Sequence, residues 1–333
     1  MRSGAGGWIL GGFLALCAAA TFAINNTLAR RGVLSGSVLQ AMAITVPFGV
    51  PLMLIAALMF GALPALDGFS LTTYVAFSAA GIAHFVFGRY CNYRAVKAIG
   101  ANLSGPLMET SVLFALVLAV TLLGEKLTIM KVLGIALILA GPLLTVESKG
   151  KAKAAGETKL AFTPNFLEGT VFSLLAALAY GTSPILVRMA LENVSWHASI
   201  AGGLVSYVAA SVVVIIVIPL LGKVKHVTEI SGEATKWFCW AGFFVGVSQL
   251  LRYIALSFAP VSVVSPIQRL SLVFRLVFSY MLNREYEIFS SRMVAGTLVS
   301  LLGAVCLSMS IDQVHDFLDL PVWMAPLFTW SWP

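Results

Sequence analysis

The chain has 333 residues, 59% of them hydrophobic and only 11% charged, with a formal net charge of +7 and a mean hydropathy of +0.94. A soluble chain of this size could not hide that much apolar surface behind so thin a polar shell. Low charge excludes a disordered chain, while 13 prolines and 4 cysteines exclude collagen-like and disulfide-scaffold classes. The composition is that of a polytopic membrane protein, and the spans along the chain make the expected fold all-α.

Spanning helices need roughly 20 mostly apolar residues. Read in chain order, the sequence predicts ten, over 8–29, 38–60, 71–93, 103–123, 128–146, 166–187, 198–221, 237–258, 262–282 and 290–311. Strict period-2 alternation is missing, which argues against a β-barrel. Short connections carry breakers: Gly61 to Pro64, Asp67-Gly68, Gly124 and Pro260. Two longer linkers are expected, the basic 147–165 and the segment 222–236. Arg2 precedes a long apolar run without a small-residue cleavage site, so the first helix is expected to stay. Cys17, Cys91, Cys239 and Cys306 all fall in apolar segments and read as small core residues.

The two halves repeat at an offset of 158 to 160 residues. Leu28-Ala29-Arg30 falls on Leu186-Val187-Arg188, with Phe22 on Tyr180, and Tyr93-Arg94-Ala95 falls on Tyr253-Ile254-Ala255. Pro106 matches Pro266, and Gly124-Glu125-Lys126 aligns with Asn283-Arg284-Glu285. Five helices is an odd number, so the second unit enters the bilayer from the opposite side. Inverted repeats of this kind are a transporter architecture with the site near the midplane. The divisions are a first repeat over 1–146, a linker over 147–165, a second repeat over 166–311 and a tail over 312–333.

Five plus five helices, Tyr-x-Ala near the ends of helices 3 and 8, and Gly124-Glu125-Lys126-Leu127-Thr128 together resemble the drug/metabolite transporter superfamily, in its ten-helix EamA-type branch. The resemblance covers about 8–311. It implies alternating-access movement of a small metabolite across a multi-pass membrane, as in a bacterial inner membrane. The second turn, Asn283-Arg284-Glu285, departs from the pattern by lacking the glycine.

A charge at the bilayer centre costs at least about 2.5–3.5 kcal/mol, so it usually faces a cavity. Arg89, Asn92 and Tyr93 share one face of helix 3, and Gln249, Arg252 and Tyr253 occupy the equivalent face of helix 8. These stripes read either as walls of one substrate cavity or as headgroup-snorkelling groups near helix ends. Helix 9 adds Gln268, Arg269 and Arg275. Glu109 is the repeat equivalent of Arg269, so the two form a structural ion pair, a pair remade during transport, or independent groups. The surplus of arginine over acid favours an anionic or zwitterionic substrate. His84 reads as a proton carrier or as a histidine satisfied by a neighbour. Asn25 and Asn26, with Ser183 at the equivalent place in helix 6, read as helix-to-helix contacts or substrate ligands. Pro106 and Pro266 are expected in the first turn or two of their helices, and Glu125 and Glu285 near helix starts.

Arg30, Arg31, the 149–159 lysines, Lys223, Lys225, Lys236, Arg284 and Arg292 fall on one membrane face. The positive-inside rule then places both termini outside, whereas the resemblance implies both inside. The tail sets Asp312, Asp316 and Asp319 before Trp323, Phe328, Trp330 and Trp332, which reads as an interfacial strip or a protein-docking strip. A secondary carrier is the leading reading, a lipid or lipid-linked headgroup flippase the second, an intramembrane enzyme the third and a non-catalytic assembly subunit the fourth. No His-Glu-x-x-His, Gly-x-Ser-x-Gly or Walker-type loop supports an enzyme or direct ATP drive. Expected partners are a small-molecule substrate and membrane lipids, with no cofactor, no metal and no nucleic acid, in a monomer or homodimer.

Overall fold

The computed structural model describes residues 5–111, 113, 114, 117, 118, 121, 127–146, 163–190, 196–258, 264, 267–308, 331 and 332. Helix α1 (Ala5–Ser35) opens the chain and extends six residues past the predicted 29. Arg30 and Arg31 therefore lie inside a helix rather than in a loop. Arg30 is tolerated there because backbone carbonyls surround its guanidinium.

The predicted span 38–60 is two helices, α2 (Val38–Thr45) and α3 (Gly49–Met59). Pro47 has no N–H for the preceding turn, and the Gly49 N–H bonds to Val46 O at 3.1 Å instead of Thr45 O. Ser37 and Gln40 close a capping box at the start of α2. The third span comprises α4 (Leu71–Gly81), a π-helical segment over Ile82–Gly88 and α5 (Arg89–Ile99), ending six residues later than predicted. Gly100 follows with φ +87, a backbone that favours glycine.

The next helix begins with α6 (Ala101–Glu109), in which Pro106 sits in the second turn. It is interrupted at Thr110, whose N–H bonds three residues back to Leu107 O. α7 (Ile129–Val146) closes the first half, and α8 (Phe166–Ala190) opens the second. α9 (Trp196–Leu220) follows. The 222–236 linker contains a short helix, α10 (Val224–Thr228), and α11 starts early, as Gly232–Phe258, because Ser231 Oγ accepts from the Ala234 N–H. Predicted span 262–282 is helical at 267–269, turns at Leu270 and resumes as α12 (Ser271–Leu282). α13 (Ser291–Ser308) completes the bundle. Leu127–Thr128 pairs antiparallel with Ser331–Trp332, a two-residue bridge between tail and turn. Residues 147–162, Pro266, Glu125 and the tail over 309–330 lie outside the described residues.

Six helices among the described residues are long and apolar enough to cross a membrane: Ile9–Ser35, Val38–Met59, Leu71–Ile99, Phe166–Val187, His197–Leu220 and Gly232–Ala255. Val132–Gly141 and Ser291–Cys306 are shorter apolar stretches. Their outward faces carry Ile55, Leu58, Val75 and Ile215, all more than half exposed, as a lipid-facing surface requires.

Packing is reciprocal between the halves. α1 lies along α11, and its repeat mate α8 lies along α5, the mate of α11. α1 also touches α12, as α8 touches α6; α7 pairs with α13, and α6 with α12. Reciprocal contact is what a pseudo-two-fold between two repeated halves produces.

Candidate functional site

The two interruptions lie 160 residues apart and meet. Glu109 precedes Thr110, Arg269 precedes Leu270, and Arg269 Nη1 donates to Glu109 Oε2 at 3.0 Å. The Leu270 N–H bonds to Ile267 O, as the Thr110 N–H does to Leu107 O. Broken helices that free backbone groups in the bundle interior are a recurrent way to build a transporter site. Each half contributes one charged residue at its break.

Arg252, six residues before the end of α11, stands in electrostatic contact with Arg269, Tyr253 and His84. It has no hydrogen bond or ion pair among the described residues, and neither do Gln249 and Gln268. His84 lies in the π-helical segment, its ring 4.5 Å from that of Tyr180 and 5.1 Å from that of Phe85. Its Nδ1 is buried without a hydrogen-bond partner. Arg275 is 3% exposed, donates from Nη1 to Ala101 O at 3.1 Å and lies within reach of both Glu109 and Glu287. Gly105 makes room for it, since a Cβ there would stand 2.9 Å from Nη1.

The other stripe is occupied by protein. Arg89 donates from Nη1 to Thr45 O at 2.9 Å, the carbonyl freed by the break between α2 and α3, and from Nη2 to Tyr207 Oη at 3.1 Å. The rings of Phe85 and Tyr207 cover its guanidinium. Asn92 Nδ2 donates to Asn26 Oδ1 at 3.1 Å, and Tyr93 Oη donates to Asn25 Oδ1 at 3.5 Å. Arg89, Asn92, Tyr93, Asn25 and Asn26 thus tie α5 to α1, the α2–α3 break and α9. Ser183 is buried and makes no hydrogen bond to either asparagine.

A third charged node went unread in the sequence. Arg30, 0% exposed, donates to Val96 O, Lys97 O and Tyr286 O at 2.6–3.2 Å, and its Nε lies 3.6 Å from Glu287 Oε1. Glu287 accepts from the N–H groups of Ala101 and Asn102 at 2.6 and 3.0 Å. A cation at the carbonyl end of α5 and an anion at the amide end of α6 each match the local helix dipole. Burial pushes the Glu287 carboxyl up from its ordinary value, against the pull of Arg30 and the two amides. Glu287 therefore does what the sequence suggested for Glu285, which is exposed. Asn102 also went unread: it is 2% exposed, with both amide atoms lacking hydrogen-bond partners.

Among the described residues, the buried Arg30, Arg89 and Arg275 and the part-buried Arg252 and Arg269 stand against only the buried Glu109 and Glu287, a surplus of three positive charges. A cavity of about 790 Å³ opens elsewhere, between α2, α5 and α9, and none of the expected site residues lines it. No group of three or more His, Cys, Asp or Glu side chains among the described residues is placed to hold a metal. All four cysteines are free thiols.

The sequence profile of the EamA-like transporter family matches residues 9–146 and 167–309, one match per half. One solved structure, described only as the crystal structure of a protein, is 17% identical and superposes with a TM-score of 0.59, over 92% of this chain and 98% of its own. That likeness speaks for the fold. No curated protein matches the chain.

Proposed function

The chain belongs to the EamA-like transporter family, within the drug/metabolite transporter superfamily, and from that premise we propose a ten-helix secondary carrier of a small organic anion or zwitterion. It works by alternating access between two inverted five-helix repeats in a bacterial inner membrane. The observation that carries this reading is Arg252. A guanidinium cannot shed its proton to escape the apolar interior, and the acids within reach are already engaged, Glu109 by Arg269 and Glu287 by Arg30.

A substrate carboxylate or phosphate supplies the missing counter-charge, bound in the bidentate mode that suits arginine. Gln249 and Gln268 offer uncommitted amides beside it, and Tyr180 and Tyr253 offer apolar faces. The Glu109–Arg269 pair sits where the two broken helices meet, so rocking of one repeat against the other acts directly on it. Without a nucleotide-binding loop in the sequence, the drive is an ion gradient or exchange.

A thermal-shift screen of purified protein tests this. A ligand present at about 100 times its Kd stabilises the native state by about 2.7 kcal/mol. Carboxylates, amino acids or sugar phosphates should raise the midpoint of the wild type and not that of Arg252→Gln. Stabilisation by organic cations alone would overturn the reading.

A further inference from the structure

The cavity between α2, α5 and α9 is separate from the basic interior, and its lining is graded along the helix axes. Its deep end is apolar, with Met42 of α2, Val214 of α9, and Val86 and Phe87 of the π-helical segment, while Val38 and Ile218 stand nearer the mouth. Phe87 is 46% exposed and Val217 38%, so the groove opens sideways towards lipid. Its other end is charged, with Lys97, Lys223 and His226 exposed at the mouth.

Ten helical residues separate Phe87 from Lys97, about 15 Å at 1.5 Å per residue. That is half of the roughly 30 Å hydrocarbon core, the depth of one leaflet. The volume of about 790 Å³ falls inside the roughly 300–1,000 Å³ typical of small-molecule sites.

Charge at the mouth selects the ligand further. Glu168 is neutralised there by Arg94, which holds it through Nε at 2.8 Å and through Nη2. Lys223 has no ion-pair partner among the described residues, and Lys97 donates only to Gly36 O at 3.3 Å. His226 shares a hydrogen bond with Ser37 at 2.9 Å. Two uncompensated ammonium groups thus stand at headgroup level over an apolar slot one leaflet deep.

We infer that this groove is a binding site for a membrane lipid with an anionic headgroup, its acyl chain lying between α2 and α9 and its phosphate held by Lys97 and Lys223. The site is distinct from the basic interior. Lipid bound there bridges the α2 and α9 helices, one from each half, so occupancy couples leaflet composition to their separation.

The test is photolabelling in vesicles of phosphatidylcholine carrying a trace of photoactivatable phosphatidylglycerol, with labelled peptides mapped by mass spectrometry. Label should concentrate on the peptides holding Phe87 and Val217, and unlabelled phosphatidylglycerol should compete where phosphatidylcholine does not. Lys97→Gln with Lys223→Gln should weaken that competition about 30-fold, the loss expected when two surface lysines leave an anionic lipid. Both lysines are exposed, so the variant should keep the wild-type elution profile. Val217→Trp should block labelling by filling the slot. Equal labelling by photoactivatable phosphatidylcholine, or labelling indifferent to the lysine changes, would reduce the groove to ordinary lipid-facing surface. Competition by inorganic phosphate alone would also overturn the assignment to a lipid.

Discussion

Replacing Glu287 with leucine takes this carboxylate away from the fully buried Arg30, while its bonds to the neutral carbonyls of Val96, Lys97 and Tyr286 stay in place. It also strands the N–H groups of Ala101 and Asn102, which Glu287 now receives. Removing one partner of a buried ion pair costs about 3–5 kcal/mol, and each stranded amide about 1–3 kcal/mol more. The two costs overlap, so about 3 kcal/mol is the conservative figure. Polytopic proteins in detergent unfold irreversibly, so the half-life at a fixed temperature is the quantity to measure. If the loss falls on the unfolding barrier, 3 kcal/mol shortens the half-life by a factor of about 100. Arg30→Met should behave similarly, because it leaves the Glu287 carboxylate buried without its cation. The double variant removes both charges and should recover about 2 kcal/mol relative to the summed singles, within the range of coupled neighbours. A Glu287→Leu half-life within threefold of the wild type would refute the reasoning, as would additive behaviour of the two changes.

The remaining predictions concern the same interior. Glu109→Gln and Arg269→Gln should each impair transport, and the double variant should lose less than the product of the two single losses, by a coupling of about 1–3 kcal/mol measured in proteoliposome flux; multiplicative losses would contradict a functional pair. Gly105→Val should push the Arg275 guanidinium away from Ala101 O, costing about 1–3 kcal/mol of overpacking by unfolding half-life; an unchanged half-life would show that the contact is slack. Because burial raises the Glu287 carboxyl, the folded state holds that proton more tightly than the unfolded chain. Its contribution is therefore complete below the ordinary carboxylate range and is lost as pH rises through the raised value. Wild-type stability should fall over that window more steeply than that of Glu287→Gln, and parallel profiles would contradict the assignment.

Much of the architecture is written in the chain because helix length and the repeat offset are one-dimensional signals. Glu109 and Arg269 are 160 residues apart, the offset that aligns Tyr93 with Tyr253, and a pseudo-two-fold brings together equivalent residues that lie near its axis. Their meeting at two breaks was not readable: Thr110 and Leu270 are ordinary residues in apolar runs. Pro47 was visible, but a run over 38–60 of spanning length concealed the break it causes. The π-helical turn over Ile82–Gly88 has no compositional signature. Arg30 looked like a helix-end cation because burial depends on where the carbonyls of Val96 and Lys97 arrive from another helix. Glu287 was hidden beside Glu285 in a turn, and only the path of the chain decides which of the two meets α6. The stripes on α5 and α11 have matching spacing yet different surroundings. Arg89 is engaged by Thr45 O and Tyr207, whereas Arg252 is not engaged among the described residues, a distinction that spacing alone cannot carry.

The central claim is that Arg252 and the residues around it bind a small organic anion or zwitterion during transport. Counterflow of a labelled panel of carboxylates, amino acids and sugar phosphates into proteoliposomes, run in parallel for the wild type and Arg252→Gln, tests it most directly. The account predicts that at least one anionic or zwitterionic compound exchanges through the wild type and that this exchange disappears in Arg252→Gln while the protein keeps its unfolding half-life. Undiminished exchange of that compound by Arg252→Gln would contradict it.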